Sequence, residues 1–381
     1  MITRTTAIAC LMLLAAPLLA AARFDLDIAD DQRITGEQHT LRAQVVVKHL
    51  EHPWSVAFLP DGGYLITERP GRLNRITPDG RRIVLRNLPD ITARGQGGLL
   101  DVVLHPAFPD NRLIYFSYAR GAGRRLGTAV ARARLAGDAL RDVEPLFHMQ
   151  PQSDSGHHFG SRLVFDRNGL LFITLGDRGD RHRAQRLNDH AGAIVRLHDD
   201  GRIPHDNPLV GQPGVRPEIW SWGHRNPQGA ALNPWTGQLW THEHGPQGGD
   251  EVNIARAGAN YGWPVITYGV NYGSGTPIGV GTHRPGMVQP LHHWTPSIAP
   301  SGMAFYDRTR FTGWHGDLLI GSLKFRQLVR LTLDGNRVVH EERLLSDRFG
   351  RIRDVRVHPD GAVYLLTDAR AGALIRLTPA P

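Results

Sequence analysis

Residues 221–263 concentrate side chains that could do chemistry. They read S-W-G-H-R-N-P-Q-G, then T-H-E-H-G-P-Q-G-G-D-E-V-N, then G-A-N-Y-G-W. The guanidinium and amide donors suit an anionic ligand, because charge-assisted hydrogen bonds to carboxylates are strong and directional. The carboxylates, together with the carbonyls that Gly and Pro turns expose, suit a hard cation such as Ca²⁺. The segment therefore predicts a site for an anionic ligand and a hard cation.

A repeat supplies the elements that must position these residues. Each copy has an alternating strand, a turn that is often Asp-Gly or Asn-Gly, a second apolar strand and a third strand rich in Arg and Leu. Two-residue turns between β-rich runs predict hairpins, and self-similarity at this spacing predicts a propeller. The copies start near Trp54, Leu99, Ser161, Gln228, Ser301 and Arg353.

Six copies predict an all-β fold, a six-bladed β-propeller with four antiparallel strands in each blade. An early strand at residues 41–47 is expected to complete the final blade and close the ring. Long insertions at residues 178–188 and 258–294 indicate that the loops of one face are elaborated. Function is expected on that face, because loops on a rigid scaffold supply binding and catalytic groups. The alternative is that these loops are tolerated insertions without a role.

The N-terminus has the regions of a secretory signal. A basic residue precedes an apolar run at residues 7–19, and three alanines follow before polarity returns. This pattern predicts a signal peptide at residues 1–22 and a single propeller domain at residues 23–381. A membrane anchor is the weaker alternative, since the apolar run is shorter than the roughly 20 residues that span a bilayer.

Cysteine use and charge narrow the setting further. The single cysteine, Cys10, lies in the predicted signal, so the mature chain has none. Export without disulfides indicates a bacterial periplasm or a secreted protein. The formal net charge is +8, and the arginines are scattered rather than clustered. Export and this scatter argue against a nucleic-acid partner and favour an anionic ligand or surface.

Polar candidates recur at the same end of successive repeats. Strand ends that face one mouth of a propeller converge, so residues distant in sequence are expected to share a site there. Taken singly, each arginine could equally be a solvated charge at a strand end. Only their convergence on one mouth distinguishes them from such surface charges. The candidates are Gln96, His157, His158, Arg225, Asn226, Lys324, Arg351 and Arg353.

The motifs G-H-R-N-P-Q-G, H-G-P, D-E-V-N and N-Y-G-W-P closely resemble those of the soluble, secreted aldose dehydrogenases of the glucose/sorbosone type, which use pyrroloquinoline quinone (PQQ). The resemblance covers nearly the whole mature chain. It implies hydride transfer from C1 of an aldose to PQQ, which yields a lactone, and onward transfer of electrons to a small-molecule or protein acceptor. Composition and spacing alone indicate only an anionic ligand and a hard cation.

The resemblance also implies roles for individual residues. A family histidine before an S-R-L strand removes the sugar hydroxyl proton, and its match is His158; an imidazole suits this task because its pKa lies near 6.5. Without the motif, His157 and His158 are nearly equal candidates. Asp177, in L-G-D-R-G, matches the carboxylate that orients the base, and Arg225 would stabilise charge on the quinone oxygen. The other matched cofactor positions are Gln96, Asn226, His244, Tyr272, Lys324, Arg351 and Arg353.

Two calcium sites are implied in the same way. The first would use the backbone carbonyls of Gly245 and Pro246 together with cofactor oxygens. The second would use Glu251 and the main-chain oxygen of Tyr261, and would brace the loop beneath the first. Carboxylate and carbonyl oxygens at short range favour Ca²⁺ over a softer metal.

One position departs from the family pattern. The best-known glucose-oxidising branch has a glutamine where this chain has His244, so the cofactor contact there could differ or depend on pH. The pair His242 and His244 also raises zinc as an alternative metal, although the sequence offers no third ligand.

Two other functions stay open on the sequence. A propeller lactonase would hold one Ca²⁺ in the channel and activate water without a quinone. A non-catalytic extracellular binding module would present only a surface.

Overall fold

The computed structural model of the protein describes residues 29–381. The predicted signal peptide at residues 1–22 lies outside the described residues. Six sheets stand around one axis, and each innermost strand contacts the next until the ring closes. The fold is therefore the six-bladed β-propeller that the repeat predicts, and every predicted repeat start falls at an innermost strand or within two residues of it.

The first half of the chain forms the outer part of one blade and three complete blades. The chain enters the last blade through β1 (Asp31–Thr35) and β2 (Thr40–Leu50). Blade 1 contains β3 (Pro53–Phe58), β4 (Tyr64–Glu68), β5 (Arg72–Ile76) and β6 (Arg82–Val84). Blade 2 contains β7 (Leu99–Leu104), helix α1 (Phe108–Asn111), β8 (Leu113–Ala122), β9 (Arg125–Ala136) and β10 (Ala139–His148). Blade 3 contains β11 (Leu163–Phe165), β12 (Leu171–Thr174), a 3₁₀ helix (Arg181–Gln185), β13 (Ala193–Leu197) and β14 (Ile219–Trp222).

The second half completes the ring. Blade 4 contains β15 (Pro227–Leu232), β16 (Leu239–Glu243), β17 (Asp250–Ile254) and, after the short β18 (Ala259–Asn260), β19 (His292–Trp294). Blade 5 contains β20 (Pro300–Phe305), β21 (Leu318–Ser322), β22 (Gln327–Asp334) and β23 (Arg337–Leu344). Blade 6 contains β24 (Ile352–Val357), β25 (Val363–Thr367) and β26 (Gly372–Pro379), to which β2 and β1 are added.

The two ends of the chain close the ring together. Strand β2 pairs antiparallel with β26, from Leu41 opposite Pro379 to Leu50 opposite Gly372. The strand predicted at residues 41–47 therefore completes the final blade as expected. Two sheets also carry a fifth strand that the four-strand repeat does not predict. Strand β1 extends blade 6, and β18 pairs parallel with β14 of blade 3, although it follows β17 of blade 4.

Apolar side chains pack the blades against one another. Leu319 and Leu328 of blade 5, for example, share a buried cluster with Val355 and Leu365 of blade 6. Burying one such side chain contributes about 1.5–3 kcal/mol, so the clusters between blades hold the ring rigid. In residues 29–381 no helix has the length and apolar character that a membrane crossing requires.

A buried ion cluster ties three blades together at the axis. The guanidinium of Arg162, which is 1% exposed, donates to Asp101 at 3.2 Å and to Asp354 at 3.0 Å. These residues belong to blades 3, 2 and 6. The Arg356 side chain donates to the same two carboxylates at 2.9 Å each. This cluster thus fixes the innermost strands of these blades relative to one another, close to the end of the axis where the strands begin.

Candidate active site

The predicted site residues meet at the end of the axis where the innermost strands begin. Two adjoining cavities lie there, of about 380 Å³ and about 650 Å³, and both are lined by Gln96, His244 and Ala299. The first cavity is also lined by Asn226, Arg351 and Arg353. The second is also lined by His158, Arg225, Gly245, Pro246, Tyr272 and Lys324. Predicted residues from five of the six blades therefore converge on one region, and Trp54 and Arg69 of the remaining blade also line the first cavity.

His158 and Asp177 form a hydrogen-bonded pair behind the second cavity. The imidazole Nδ1 lies 2.6 Å from Asp177 Oδ1, and the Gly179 N–H donates to the same oxygen at 2.7 Å. The other oxygen, Oδ2, accepts the indole N–H of Trp263 at 2.8 Å. Because Nδ1 is held by an acceptor-only carboxylate, the imidazole carries its proton there and keeps Nε2 free as a base.

The protonation states favour this assignment. Burial lowers the pKa of His158, against the opposing effect of the Asp177 carboxylate. Burial alone would raise the pKa of Asp177, but His158 and Arg225 hold it below its ordinary value. At neutral pH the pair is therefore a neutral imidazole beside an ionised carboxylate, as proton abstraction requires.

The backbone around His158 is also fixed. Its N–H donates to Gln96 Oε1 at 2.8 Å, and its φ of 53° lies in the left-handed region. Gly176 lies directly against it, since a Cβ at that position would stand 2.2 Å from the His158 carbonyl oxygen. His157 is exposed and has no comparable side-chain partner in the described part of the chain. The geometry thus separates two histidines that the residues alone leave nearly equal.

Arg178, which the sequence analysis did not single out, supports the same loop. Its guanidinium is buried over the Phe159 ring, 3.5 Å from the ring centre, and donates to the carbonyls of Ser155 and His157. Burial without a carboxylate in contact lowers the pKa of Arg178 to about 9. Arg178 therefore holds in place the segment that carries His157 and His158.

Two cations face the second cavity. Arg225 donates from Nη1 to the His244 carbonyl at 3.0 Å, and its guanidinium carbon lies 5.5 Å from the Trp263 ring centre and 6.0 Å from that of Tyr272. Lys324 is exposed and forms no ion pair within residues 29–381. Tyr272 is 67% exposed, so it stands at the rim rather than deep in the site.

Arg351 and Arg353 share a carboxylate that the sequence analysis missed. Asp368, at the end of β25, accepts from Arg353 at 2.9 Å and from Arg351 at 3.4 Å, and lies 3.1 Å from His52 Nδ1. Burial alone would raise the pKa of Asp368, but the two arginines and His52 hold it well below its usual range. Asp368 therefore orients both guanidinium groups at the first cavity.

The residues predicted for the second calcium site, Glu251 and Tyr261, line one narrow void together with Glu243. Glu251 of β17 pairs in register with Glu243 of β16, a carboxylate that is not among the predicted ligands. Burial and the Glu243 carboxylate raise the pKa of Glu251, which forms no ion pair among the described residues. A carboxylate placed beside another without a compensating cation suits a divalent ion, so this donor set fits Ca²⁺.

The turn predicted for the first calcium site is tightly built. Asp250 accepts the Gly245 N–H at 2.8 Å and the Ser297 hydroxyl at 2.6 Å. A Cβ on Gly245 would stand 2.2 Å from the carbonyl oxygen of Gly248, so only glycine fits. The turn, including Gly245 and Pro246, lines the second cavity. Carbonyl oxygens there could complete a cation site together with oxygens of a ligand.

The zinc alternative finds no support in the geometry. His244 Nε2 lies 2.6 Å from the Pro300 carbonyl, and His242 is fully buried with its pKa lowered to about 3 by burial. Across residues 29–381 no group of three or more His, Cys, Asp or Glu side chains could hold a metal ion. A cation at this end of the propeller would therefore need carbonyl oxygens as well.

Comparisons with known proteins agree with the motif resemblance. The profile of the family Glucose / Sorbosone dehydrogenase matches residues 50–376. Aldose sugar dehydrogenase YliI of Escherichia coli (strain K12) is 47% identical over 346 residues, which cover 89% of this chain and 93% of the relative. Quinoprotein glucose dehydrogenase B of Acinetobacter calcoaceticus is 27% identical over 441 residues, which cover 94% of this chain and 92% of the relative.

Solved structures share the fold. The soluble aldose sugar dehydrogenase from Escherichia coli in its apo form aligns with a TM-score of 0.87 at 46% identity, over 90% of this chain and 100% of that chain. The PQQ-bound aldose sugar dehydrogenase from Streptomyces coelicolor aligns with a TM-score of 0.72 at 24% identity, over 90% and 100%, a likeness that concerns the fold alone. With a family profile that spans most of its length and a relative of this identity and coverage, the chain belongs to the glucose/sorbosone dehydrogenase family.

Proposed function

We propose that the protein is a periplasmic or secreted, PQQ-dependent dehydrogenase that oxidises aldose sugars at C1 to lactones. The observation that carries this proposal is the His158–Asp177 pair, which presents a free imidazole nitrogen to a cavity that Arg225 and Lys324 also line. Relatives named as aldose sugar dehydrogenase and quinoprotein glucose dehydrogenase, and a PQQ-bound neighbour in fold, support the substrate class and the cofactor.

The cavities fit the chemistry of PQQ. The cofactor has three carboxylates and an ortho-quinone, so its site needs fixed positive charge and amide donors. Arg225, Lys324, Arg351 and Arg353 supply the charge, and Gln96 and Asn226 supply amide groups. Arginine forks match carboxylates in geometry, and each charge-assisted hydrogen bond contributes about 1.5–3 kcal/mol. When bound, PQQ supplies the quinone that accepts the hydride.

The residues of the chain handle the proton. An aldose in the second cavity would place its C1 hydroxyl against His158 Nε2, which takes the proton as the C1 hydrogen leaves as hydride. Asp177 holds the ring in orientation and stabilises the imidazolium that forms. General-base catalysis of this kind contributes about 10²–10⁴-fold. Arg225 would stabilise negative charge that develops in the cavity.

Two cation sites complete the proposal. The carbonyls of Gly245 and Pro246 would hold a Ca²⁺ ion beside the cofactor, where a divalent ion supplies Lewis-acid polarisation. Glu251 and the Tyr261 carbonyl would hold a structural Ca²⁺ ion. The structural ion would offset the charge of the paired Glu243 and Glu251 carboxylates, which the fold otherwise buries side by side.

Dye reduction by the purified mature chain tests the function. With added PQQ and Ca²⁺, a panel of aldoses should reduce the dye, and silence across the panel would count against the proposal. His158→Ala should still bind PQQ by its absorbance and should lose most of its turnover. Hydrolysis of lactones in the absence of PQQ would instead support a lactonase. If the protein neither binds the quinone nor turns over any substrate, the result would indicate a binding module.

A further inference from the structure

The two ends of the propeller differ in how their charges are compensated. We call the end where the innermost strands begin, and where both cavities open, the mouth face. On the opposite face most arginines pair with neighbouring carboxylates, as in Arg75 with Asp61 and Arg202 with Asp200. On the mouth face several exposed or half-exposed cations form no ion pair within residues 29–381. They include Arg94, Arg120, Arg124, Arg125, Lys324, Arg348 and Arg370.

The densest group of these cations lies on a projecting hairpin. The last pair between β8 and the innermost strand β7 joins Tyr118 to Leu99, and residues 119–122 continue β8 beyond it. At about 3.3 Å per residue this extension is roughly 13 Å long. Arg120, Arg124 and Arg125 are exposed at its end, and we call these three residues the arginine tip.

The arginine tip is packed onto the loop that carries the proposed base. Arg94 donates from Nη2 to the carbonyls of Arg124, at 2.6 Å, and Asp154, at 2.9 Å. Behind the tip, the N–H of Leu126 donates to the Ser153 carbonyl at 2.7 Å. Residues 153–154 precede His158 by only a few positions. The tip therefore has a defined place beside the cavities rather than projecting freely from the ring.

We propose that the mouth face is the docking surface for an acidic redox protein, with the arginine tip as its main contact. The proposal rests on the proposed function, because an electron acceptor has to approach the cavity that holds the cofactor. Oxidation of one aldose releases two electrons and two protons, so two one-electron acceptors are reduced and the protons pass to solvent. The exposed carboxylates Asp90, Asp154 and Asp180 reduce the positive field on this face, but the unpaired cations outnumber them.

Charge on the acceptor should therefore control the rate of its reduction. A complementary surface raises the rate of encounter by about 10–10³-fold at low salt. The effect is screened when the Debye length falls from roughly 30 Å at about 0.01 M ionic strength to about 8 Å at 0.15 M. The rate of reduction of a neutral acceptor should depend neither on the charge of the mouth face nor on ionic strength.

Cytochrome c and cytochrome c with succinylated lysines form a matched pair of probes, since they share a haem and differ in the sign of their charge. With PQQ-loaded full-length mature protein and saturating aldose at low ionic strength, the acidic form should be reduced faster. The double variant Arg124→Glu/Arg125→Glu should slow reduction of the acidic form by about tenfold or more. Its reduction of a neutral benzoquinone, and its PQQ absorbance, should match those of the wild type.

Arg81→Glu/Arg141→Glu is the matched control, because it changes the net charge by the same amount and both arginines are exposed, without ion pairs within residues 29–381, and on the opposite face. Equal slowing by this control would show that only net charge matters and would overturn the proposal, as would equal rates for the two cytochromes. Sedimentation with phosphatidylglycerol vesicles that depends on the arginine tip, without any effect on cytochrome rates, would assign the surface to a membrane instead. If no variant reduces any acceptor, the proposed function itself fails.

Discussion

Replacing Trp263 by phenylalanine removes one hydrogen bond from the His158–Asp177 pair while keeping most of the aromatic packing. The indole N–H donates to Asp177 Oδ2 at 2.8 Å, whereas His158 and Gly179 both bind Oδ1. Asp177 is 1% exposed, so water cannot easily replace the lost donor. A hydrogen bond to a charged group contributes about 1.5–3 kcal/mol. If the transition state loses the whole contribution of this hydrogen bond, the activation free energy rises by that amount and kcat falls by about 10- to 150-fold.

The pH profile gives a second readout, with a defined sign. Without the indole donor the Asp177 carboxylate becomes more basic and holds the imidazolium form of His158 more strongly. The pKa of His158 then rises from its lowered value in the wild type, and less of the neutral base is present at a given acidic pH. The acid limb of kcat/KM should therefore move to higher pH in Trp263→Phe, while KM changes little.

Steady-state kinetics across pH, with PQQ-loaded protein and saturating dye, measure both effects. Trp314→Phe is a suitable control, because Trp314 is also buried and its indole nitrogen has no hydrogen-bond partner in the described residues. Its acid limb should coincide with that of the wild type. If Trp263→Phe keeps the wild-type kcat and acid limb, Trp263 does not position Asp177 for catalysis.

Three further perturbations address the base, the axis and the cation site. Asp177→Asn should lower kcat by up to about 10⁴-fold with PQQ binding retained. It should also move the acid limb of the pH profile to lower pH, because the wild-type carboxylate raises the pKa of His158. An unchanged acid limb would show that Asp177 does not act on His158. Arg162→Ala should lower the free energy of unfolding by about 3–5 kcal/mol in denaturant melts, because it leaves Asp101 and Asp354 buried without this partner. The control Arg202→Ala removes an exposed ion pair and should lower it by under about 1 kcal/mol. Similar losses in the two variants would exclude a special role for the ion cluster at the axis. Chelation should lower the thermal midpoint of the wild type more than that of Glu251→Gln, and equal shifts would argue against a Glu251 ion site.

The fold could be predicted because its cause is local and repeated. Turn residues and alternating strands recur in each copy, and an unpaired early strand at residues 41–47 has one place to go in a ring that must close. The fifth strands were missed because β1 and β18 are added by pairing between distant segments. Nothing in a short strand of two residues, Ala259–Asn260, marks its partner in the preceding blade.

The site was predictable to the extent that it uses equivalent positions of the repeat. Residues before the innermost strands converge by symmetry, which is why Gln96, His158 and Arg225 could be placed together. The hydrogen bond from Trp263 to Asp177 joins positions 86 residues apart, and no spacing rule reveals it. Asp368 could have been found, because carboxylates recur near the end of the second strand of four blades. They are Glu68, Asp177, Glu243 and Asp368.

A rapid-mixing absorbance measurement on the mature protein loaded with PQQ and Ca²⁺ tests most directly whether His158 is the base that drives reduction of the cofactor. Wild type and His158→Ala should show the same oxidised cofactor spectrum before mixing. On addition of an aldose, the wild-type spectrum should convert to that of the reduced cofactor, with a rate that falls as His158 is protonated, and the variant should stay oxidised. Reduction of the variant at the wild-type rate would contradict the role of His158, and no cofactor spectrum in either protein would contradict PQQ as the cofactor.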